Sequence, residues 1–197
     1  HPPLSARRQR QMCIRDSVSS DGQISFSDDE TKLYFGLSLP EIYQDTLLLK
    51  EEIVDVEVWT YDEPRLYTIQ EMQLNNDKKK SFKSVYNFDN EKVIQIANKD
   101  FPNAVISEHG NSEYALISNP QPYQLSSQWT ALFSKNDLAV KNIKNGDSEI
   151  VIKGNPSLAR LSPQGYYAYG YNQVDSTWYT HNLKNSKYTE LTRGKIF

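Results

Sequence analysis

Leu161–Thr192 (LSPQGYYAYGYNQVDSTWYTHNLKNSKYTELT) reads as one four-stranded unit, and its two halves recur twice upstream. The first half is a hairpin in which an apolar-Ser pair leads through a polar turn into an aromatic-rich strand. Its copies are Phe26-Ser27-Asp28-Asp29-Glu30 before KLYFGLSL, Ile106-Ser107-Glu108-His109-Gly110 before EYALIS, and Leu161-Ser162-Pro163-Gln164-Gly165 before YYAYGY. Pro presets φ early in such a turn and Gly tolerates positive φ late in it. The second half ends a strand in Asn, then an apolar residue, then a polar turn: Tyr86-Asn87-Phe88-Asp89-Asn90, Lys141-Asn142-Ile143-Lys144-Asn145-Gly146 and His181-Asn182-Leu183-Lys184-Asn185. Each copy runs into a short closing strand, VIQIA, EIVIK or YTELT.

The order is first half, second half, three times over, and Asn87, Asn142 and Asn182 stand 55 and then 40 residues apart. Four-stranded repeats of roughly 40 to 50 residues mark β-propeller blades, whereas helical repeats run shorter. The expected fold is therefore all-β, a partial β-propeller of about three four-stranded antiparallel blades near 24–97, 104–153 and 158–192. The competing reading is an open antiparallel meander or sandwich. Closed propellers need roughly four to eight blades, so the sequence reads as an internal slice of a longer protein, an incomplete ring.

The first unit is the least regular. Pro40–Lys50 (PEIYQDTLLLK) keeps no period and reads as an extended connection. Glu51–Tyr61 alternates, with Val54, Val56 and Val58 on one face and Asp55, Glu57 and Trp59 on the other, as a half-buried strand does. Asp62-Glu63-Pro64 breaks it. Thr68–Leu74 admits either a helical turn or another strand.

Arg7–Ser17 (RRQRQMCIRDS) resembles, residue for residue, the translation of one frame of a transposon-type sequencing-library adapter. Residues 1–17 are accordingly read as an adapter-derived, disordered leader outside the fold. The competing reading is a basic arm for an acidic partner. The full chain has 22 basic and 25 acidic residues and a net charge of −3; without residues 1–17 it loses four arginines and one aspartate, leaving 18 against 24 and a net charge of −6. Such a chain is not built for nucleic acid, which demands clustered Lys and Arg. The cluster Lys78-Lys79-Lys80 with Lys83 reads as a charged strand edge that discourages aggregation. Cys13 lies in the leader, so the remaining chain carries no disulfide and no thiolate chemistry. A composition of 38% hydrophobic and 12% aromatic residues suits an ordered globular domain.

The sequence assigns no catalytic, cofactor-binding or metal-ligating residues. His109 sits in a turn and His181 alternates on a strand, without zinc-ligand spacing. Asp28-Asp29-Glu30 lacks the ligand ladder and glycine of an EF-hand and reads as a solvated turn. Tyr166, Tyr167, Tyr169 and Tyr171 straddle both faces of a strand and read as inter-blade packing rather than a ligand platform. No G-x-S-x-G elbow occurs; Gly36-Leu37-Ser38 and Gly110-Asn111-Ser112 lack the second Gly.

The run from Asp45 to Ala97 resembles a segment of the N-terminal propeller of bacterial prolyl-oligopeptidase-family serine peptidases, the large exported kind that includes dipeptidyl- and acylaminoacyl-peptidase types. The resemblance lies in Asp55 and Trp59 followed by Asp62-Glu63-Pro64, then Gln70, the Lys-rich approach to SVYNFD, and a closing strand. Ile117–Trp129 (ISNPQPYQLSSQW), LSPQGYYAYGY and WYTHNL follow in the same order. The blade motifs alone are shared with TolB-like propellers. The resemblance implies that the parent carries a C-terminal α/β-hydrolase domain with a Ser, Asp and His triad. The propeller would cap that domain, restrict access to small peptides and position them. Glu51-Glu52 resembles the paired acids with which some dipeptidyl peptidases of this family hold a substrate's amino terminus, but the context differs and the role is not carried over.

Three readings follow: a non-catalytic gating propeller whose partners are the hydrolase domain and peptide substrates; a TolB-like propeller acting as a protein-interaction scaffold; and a glycan-binding or glycan-cleaving propeller, favoured by its aromatics. None calls for a cofactor, nucleic acid or a membrane span in this segment.

Overall fold

Each of the three repeated turns has the same hydrogen bonds in the computed structural model, which describes residues 17–39, 63–129, 135–155 and 159–194. The amide of the fourth turn residue returns to the serine carbonyl: Glu30 to Ser27 (2.9 Å), Gly110 to Ser107 (3.0 Å), Gly165 to Ser162 (2.7 Å). That fourth residue takes positive φ, 54°, 68° and 70° in turn. The serine hydroxyl then accepts the amide of Lys32 (3.0 Å), Ser112 (3.4 Å) or Tyr167 (3.1 Å). Glu108-His109-Gly110, the copy least like the others in sequence, is thus the same turn.

These turns join the strands of three antiparallel sheets, each in chain order. The first contains β1 (Ser17–Val18), β2 (Ser25–Phe26), β3 (Lys32–Ser38), β4 (Phe82–Asn87) and β5 (Lys92–Gln95). Because β4 occupies one edge of β3, β1 and β2 share the other, pairing with Leu37–Ser38 and Leu33–Tyr34, and the sheet is four strands wide. The second holds β6 (Asn103–Val105), β7 (Tyr114–Asn119), β8 (Asn136–Asn142) and β9 (Ser148–Asn155). The third holds β10 (Arg160–Leu161), β11 (Tyr167–Asn172), β12 (Thr177–Asn182) and β13 (Lys187–Glu190). Registers Lys32↔Asn87, Tyr114↔Asn142 and Tyr167↔Asn182 align the repeats. Tyr34, Leu116 and Tyr169 are therefore equivalent, two residues farther along.

The Asn turns repeat as well. Asn142 and Asn182 accept the amides of Lys144 (2.8 Å) and Lys184 (2.9 Å) at Oδ1, as side chains that mimic a backbone turn do. Asn172, between β11 and β12, makes a further copy with Val174 (3.0 Å) that the motif spacing did not suggest. Asn87 departs: its buried amide crosses to the next sheet and donates to the Ile143 carbonyl at 2.9 Å.

Period-two alternation makes the middle sheet two-faced. Ala115, Ile117 and Ala139, with Ile143 of the following turn, pack against Tyr34, Val85 and Ile96 of the first sheet. Leu116, Leu138 and Val140 pack against Ala159, Leu161, Ala168 and Leu183 of the third. Fully burying one such Leu or Ile side chain contributes roughly 1.5–3 kcal/mol, so these two cores hold the stack. The chain is a partial β-propeller, nearly all β.

Among the described residues two helices interrupt it: α1 (Tyr67–Lys78) and, after a 3₁₀ turn at Gln121–Tyr123, α2 (Gln124–Trp129). The stretch around Thr68–Leu74 that admitted helix or strand is α1, whose Gln, Glu, Met and Leu residues are good helix formers. Three details correct the sequence reading. Ser17, placed in the leader, pairs with Ser38; residues 1–16 lie outside the described residues. Lys78 ends α1 and Lys83 lies on β4, a central strand, so these lysines do not line a sheet edge. Tyr167, Tyr169 and Tyr171 share one face because they alternate with Ala168 and Gly170, while Tyr166 lies in the preceding turn. Pro40–Asp62, with the connection and strand expected there, lies outside the described residues.

Candidate functional site

The three Ser turns and the turns at Asn87, Asn142 and Asn182 lie at one end of the sheets, and polar crevices open between neighbouring sheets there. The first, a hollow of about 430 Å³, is lined by Asp29, Lys32, Asn87, Asn111, Glu113 and Lys144 among others. Lys32 starts β3 and is only 7% exposed. A buried ammonium needs compensation, which it finds by donating to the Asn111 carbonyl and Thr31 Oγ1, both at 3.1 Å, with Asp29 Oδ2 3.8 Å away. Glu113 forms an ion pair with Lys144, which raises the lysine's pKa.

Asp28-Asp29-Glu30, weighed as a calcium loop, cross-links sheets instead. The Asp28 amide donates to the His109 carbonyl (2.9 Å), and its carboxylate lies 2.7 Å from His109 Nδ1. The Asp29 amide donates to Asn111 Oδ1 at 3.1 Å. The Ser27 hydroxyl, donating at 2.6 Å, is the main cause that lowers the Asp29 pKa to about 2; Thr31 and Lys32 add to it against the opposing effect of burial. Among the described residues no three His, Cys, Asp or Glu side chains converge as a metal would require.

A second crevice of about 410 Å³ separates the second and third sheets, lined by Ser112, Glu113, Tyr114, Gly165, Tyr166 and Lys184 among others. A third hollow of about 290 Å³ lies nearby, bounded in part by His181, Glu149, Asn142 and Ser186. His181 is 7% exposed and its Nδ1 has no hydrogen-bond partner. Burial lowers its pKa, and the Glu149 charge partly opposes this. These crevices are hydrogen-bonding surfaces of mixed charge. His109 is held by a carboxylate, and among the described residues neither His109 nor the Nδ1 of His181 is hydrogen-bonded to a hydroxyl.

The opposite end differs sheet by sheet. The β3–β4 and β7–β8 connections carry α1 and α2, whereas β11 and β12 are joined by the short turn Gln173–Ser176. Gln128 on α2 donates to the Pro64 carbonyl at 2.5 Å, tying the two insertions together. Asp137 anchors the second one: its Oδ1 accepts from the Tyr123 hydroxyl (2.7 Å) and the Gly154 amide (2.9 Å). Gly154 has φ of 63°, and a Cβ there would stand 3.3 Å from the Tyr123 hydroxyl. Helix α1 is braced by Arg65, which donates to Gln73 (2.9 Å) and Asp77 (2.7 Å). None of its residues is buried, and Met72 is 84% exposed.

Of the residues carrying the family resemblance, Glu63, Pro64 and Gln70 fall on this helical ledge, Gln70 donating to the Arg65 carbonyl at 2.8 Å. Asp55, Trp59, Asp62 and the Glu51-Glu52 pair lie outside the described residues. Sequence reasoning missed Lys32, the Tyr123–Asp137 anchor and the bond from Tyr34 to Gly110. The shared spacing of Ser27 to Tyr34 and Ser162 to Tyr169 was the available signal for the last.

No family model matches the chain, and no curated protein matches it. Among solved structures it is similar to a chain from a structural and mechanistic study of two prolyl endopeptidases, with 11% identity over 91% of this chain and 22% of that one, TM-score 0.42. It is similar to TolB from Acinetobacter baumannii, with 17% identity over 86% of this chain and 42% of that one, TM-score 0.36. It is also similar to the tricorn protease, with 11% identity over 88% and 22%, TM-score 0.33. The chain spans less than half the length of each. At these values the propeller assignment rests on the stacked sheets themselves.

Proposed function

We propose that this chain is a non-catalytic segment of a propeller that gates the active site of a serine peptidase and positions peptides for it. The observation that carries the reading is the polarity of the stack: short turns close one end, while two tied helical insertions project from the other. A cap meets its companion domain through one end, and elaborated connections are where scaffolds carry such contacts. The partner is then the α/β-hydrolase domain of the same parent chain, and the substrates are peptides small enough to pass.

Reading the genomic frame downstream tests this. A G-x-S-x-G followed by Asp and then His supports the proposal; a stop codon after further blades, with no such set, overturns it. The chain itself should not react with a fluorophosphonate probe, because among the described residues no nucleophile is hydrogen-bonded to a histidine base. Stoichiometric labelling would contradict the non-catalytic assignment. The scaffold reading is favoured by one observation, helix α1 without a buried residue and with Met72 and Leu74 exposed. The stop codon just described would support it.

A further inference from the structure

The third sheet repeats a receptor geometry that the first sheet uses. In the first sheet Ser27 and Tyr34 enclose Gly110 of the neighbouring turn. The Tyr34 hydroxyl donates to the Gly110 carbonyl at 2.7 Å, and Tyr34 is 2% exposed. A Cβ on Gly110 would stand 3.1 Å from Ser27 Cα and 3.2 Å from the Tyr34 ring, so glycine is demanded by contact as well as by φ. In the third sheet Ser162 and Tyr169 hold the equivalent places. Ser162 accepts the Tyr167 amide as Ser27 accepts that of Lys32, and Tyr169 follows Tyr167 as Tyr34 follows Lys32.

By strand register the same position on the middle sheet is Leu116, which is 3% exposed and lies in the core facing the third sheet, while Tyr114, seven residues after Ser107, packs against the same core and leaves the Gly165 carbonyl to the Ser112 hydroxyl. At both filled interfaces, then, this face of a sheet is covered by the next one. On the third sheet the face bears Tyr167, Tyr169 and Tyr171, with Trp178 paired opposite Tyr171 and its ring 5.3 Å away. Among the described residues nothing is stacked on it, and Trp178 is 49% exposed.

We propose that this aromatic face is a docking surface for a further β-sheet that presents a Ser-x-x-Gly turn, the Tyr169 hydroxyl donating to that glycine's carbonyl. The inference rests on the sheet geometry and not on the gating reading. Pro163 stands where Asp28 stands in the first sheet and has no amide to repeat the bond to the next turn, so Tyr169 carries the polar part of the contact. The incoming face should present small aliphatic residues at the places of Ala115 and Ile117. A second copy of this chain does not qualify: the fourth residue of its leading turn is Glu30, and Phe35 replaces Ile117. Docking that face would carry a carboxylate into an apolar contact.

The discriminating experiment converts the chain into its own partner. Glu30→Gly with Phe35→Ile gives the first sheet the Gly110 and Ile117 pattern, and Gly suits the positive φ at position 30. Sedimentation velocity across a concentration series should show the wild type monomeric and the double variant associating head to tail. Adding Tyr169→Phe should weaken association about two- to tenfold, as loss of one hydrogen bond does, and Trp178→Glu, on an exposed residue, should abolish it. A double variant that stays monomeric overturns the proposal. So does association indifferent to Tyr169→Phe and Trp178→Glu, or a wild type that associates as strongly as the double variant, which would make a second copy the occupant.

Discussion

Ser112 and Gly165 touch across the second and third sheets: the serine hydroxyl lies 3.3 Å from the glycine carbonyl oxygen, and a Cβ on Gly165 would come within 2.1 Å of Ser112 Oγ. The turn residue that supplies positive φ is thus also the place where neighbouring sheets press together. Gly165→Ala should cost about 1–3 kcal/mol in urea unfolding, combining backbone strain with the clash. Gly194, with φ of 70° and nothing within 4 Å, serves as a control whose alanine variant should lose only about 1 kcal/mol. Adding Ser112→Gly should recover part of the Gly165→Ala loss, since the two sites couple directly; equal losses at Gly165 and Gly194 would refute the contact.

The Asn turns are alike in sequence but unequal in consequence. Asn87 is buried and crosses to the Ile143 carbonyl, whereas Asn182 serves its own turn. Asn87→Ala should cost about 1–3 kcal/mol by stranding a buried acceptor, and Asn182→Ala about 0.5–1.5 kcal/mol. The reverse order in chemical denaturation would contradict the inter-sheet role.

His181 gives the stack an acid-sensitive point. Burial favours its neutral form, so its folded-state pKa lies below the ordinary 6.5. The unfolded chain therefore takes up the proton first as pH falls, and stability should be level above about pH 6.5 and decline below it until the lowered pKa is passed. His181→Gln should flatten that part of the profile, measured by urea titration at a series of pH values. An unchanged profile would show that the imidazole is not responsible.

Asp29 titrates in the same sense at lower pH, since its folded-state pKa is also depressed. Its depressed pKa means that its contribution is present above about pH 4 and is lost as pH falls toward the folded value. Because the carboxyl is partly exposed, the stability involved is small, and an NMR titration is the better readout. Ser27→Ala should raise the Asp29 pKa more than Lys32→Met does, since the Ser27 hydroxyl is the larger influence.

The repeats were legible because each half-unit depends on local chemistry: Ser and Asn side chains that bond their own turns, and strands that alternate. The tight copy at Pro163-Gln164-Gly165 and the loose one at Glu108-His109-Gly110 fold alike because the serine hydroxyl and the positive φ are kept in both. What could not be read were partnerships between repeats. Gly110 announces a turn but not the Tyr34 ring beside it, and His109 gives no hint of Asp28, 81 residues earlier. Helix α1 escaped a firm assignment because, with no buried face, it has no apolar period to detect. The tyrosines of β11 were misjudged by including Tyr166, which belongs to the turn.

Amide hydrogen exchange followed by mass spectrometry tests the central claim, that three sheets stack with the middle one covered on both faces. Peptides spanning Tyr114–Asn119 and Asn136–Asn142 should exchange slowest in the chain, and the outer strands Lys92–Gln95 and Lys187–Glu190 much faster, because protection follows burial and contact density. Equal exchange in all three sheets, or fastest exchange in the middle one, would contradict the stacked-blade account.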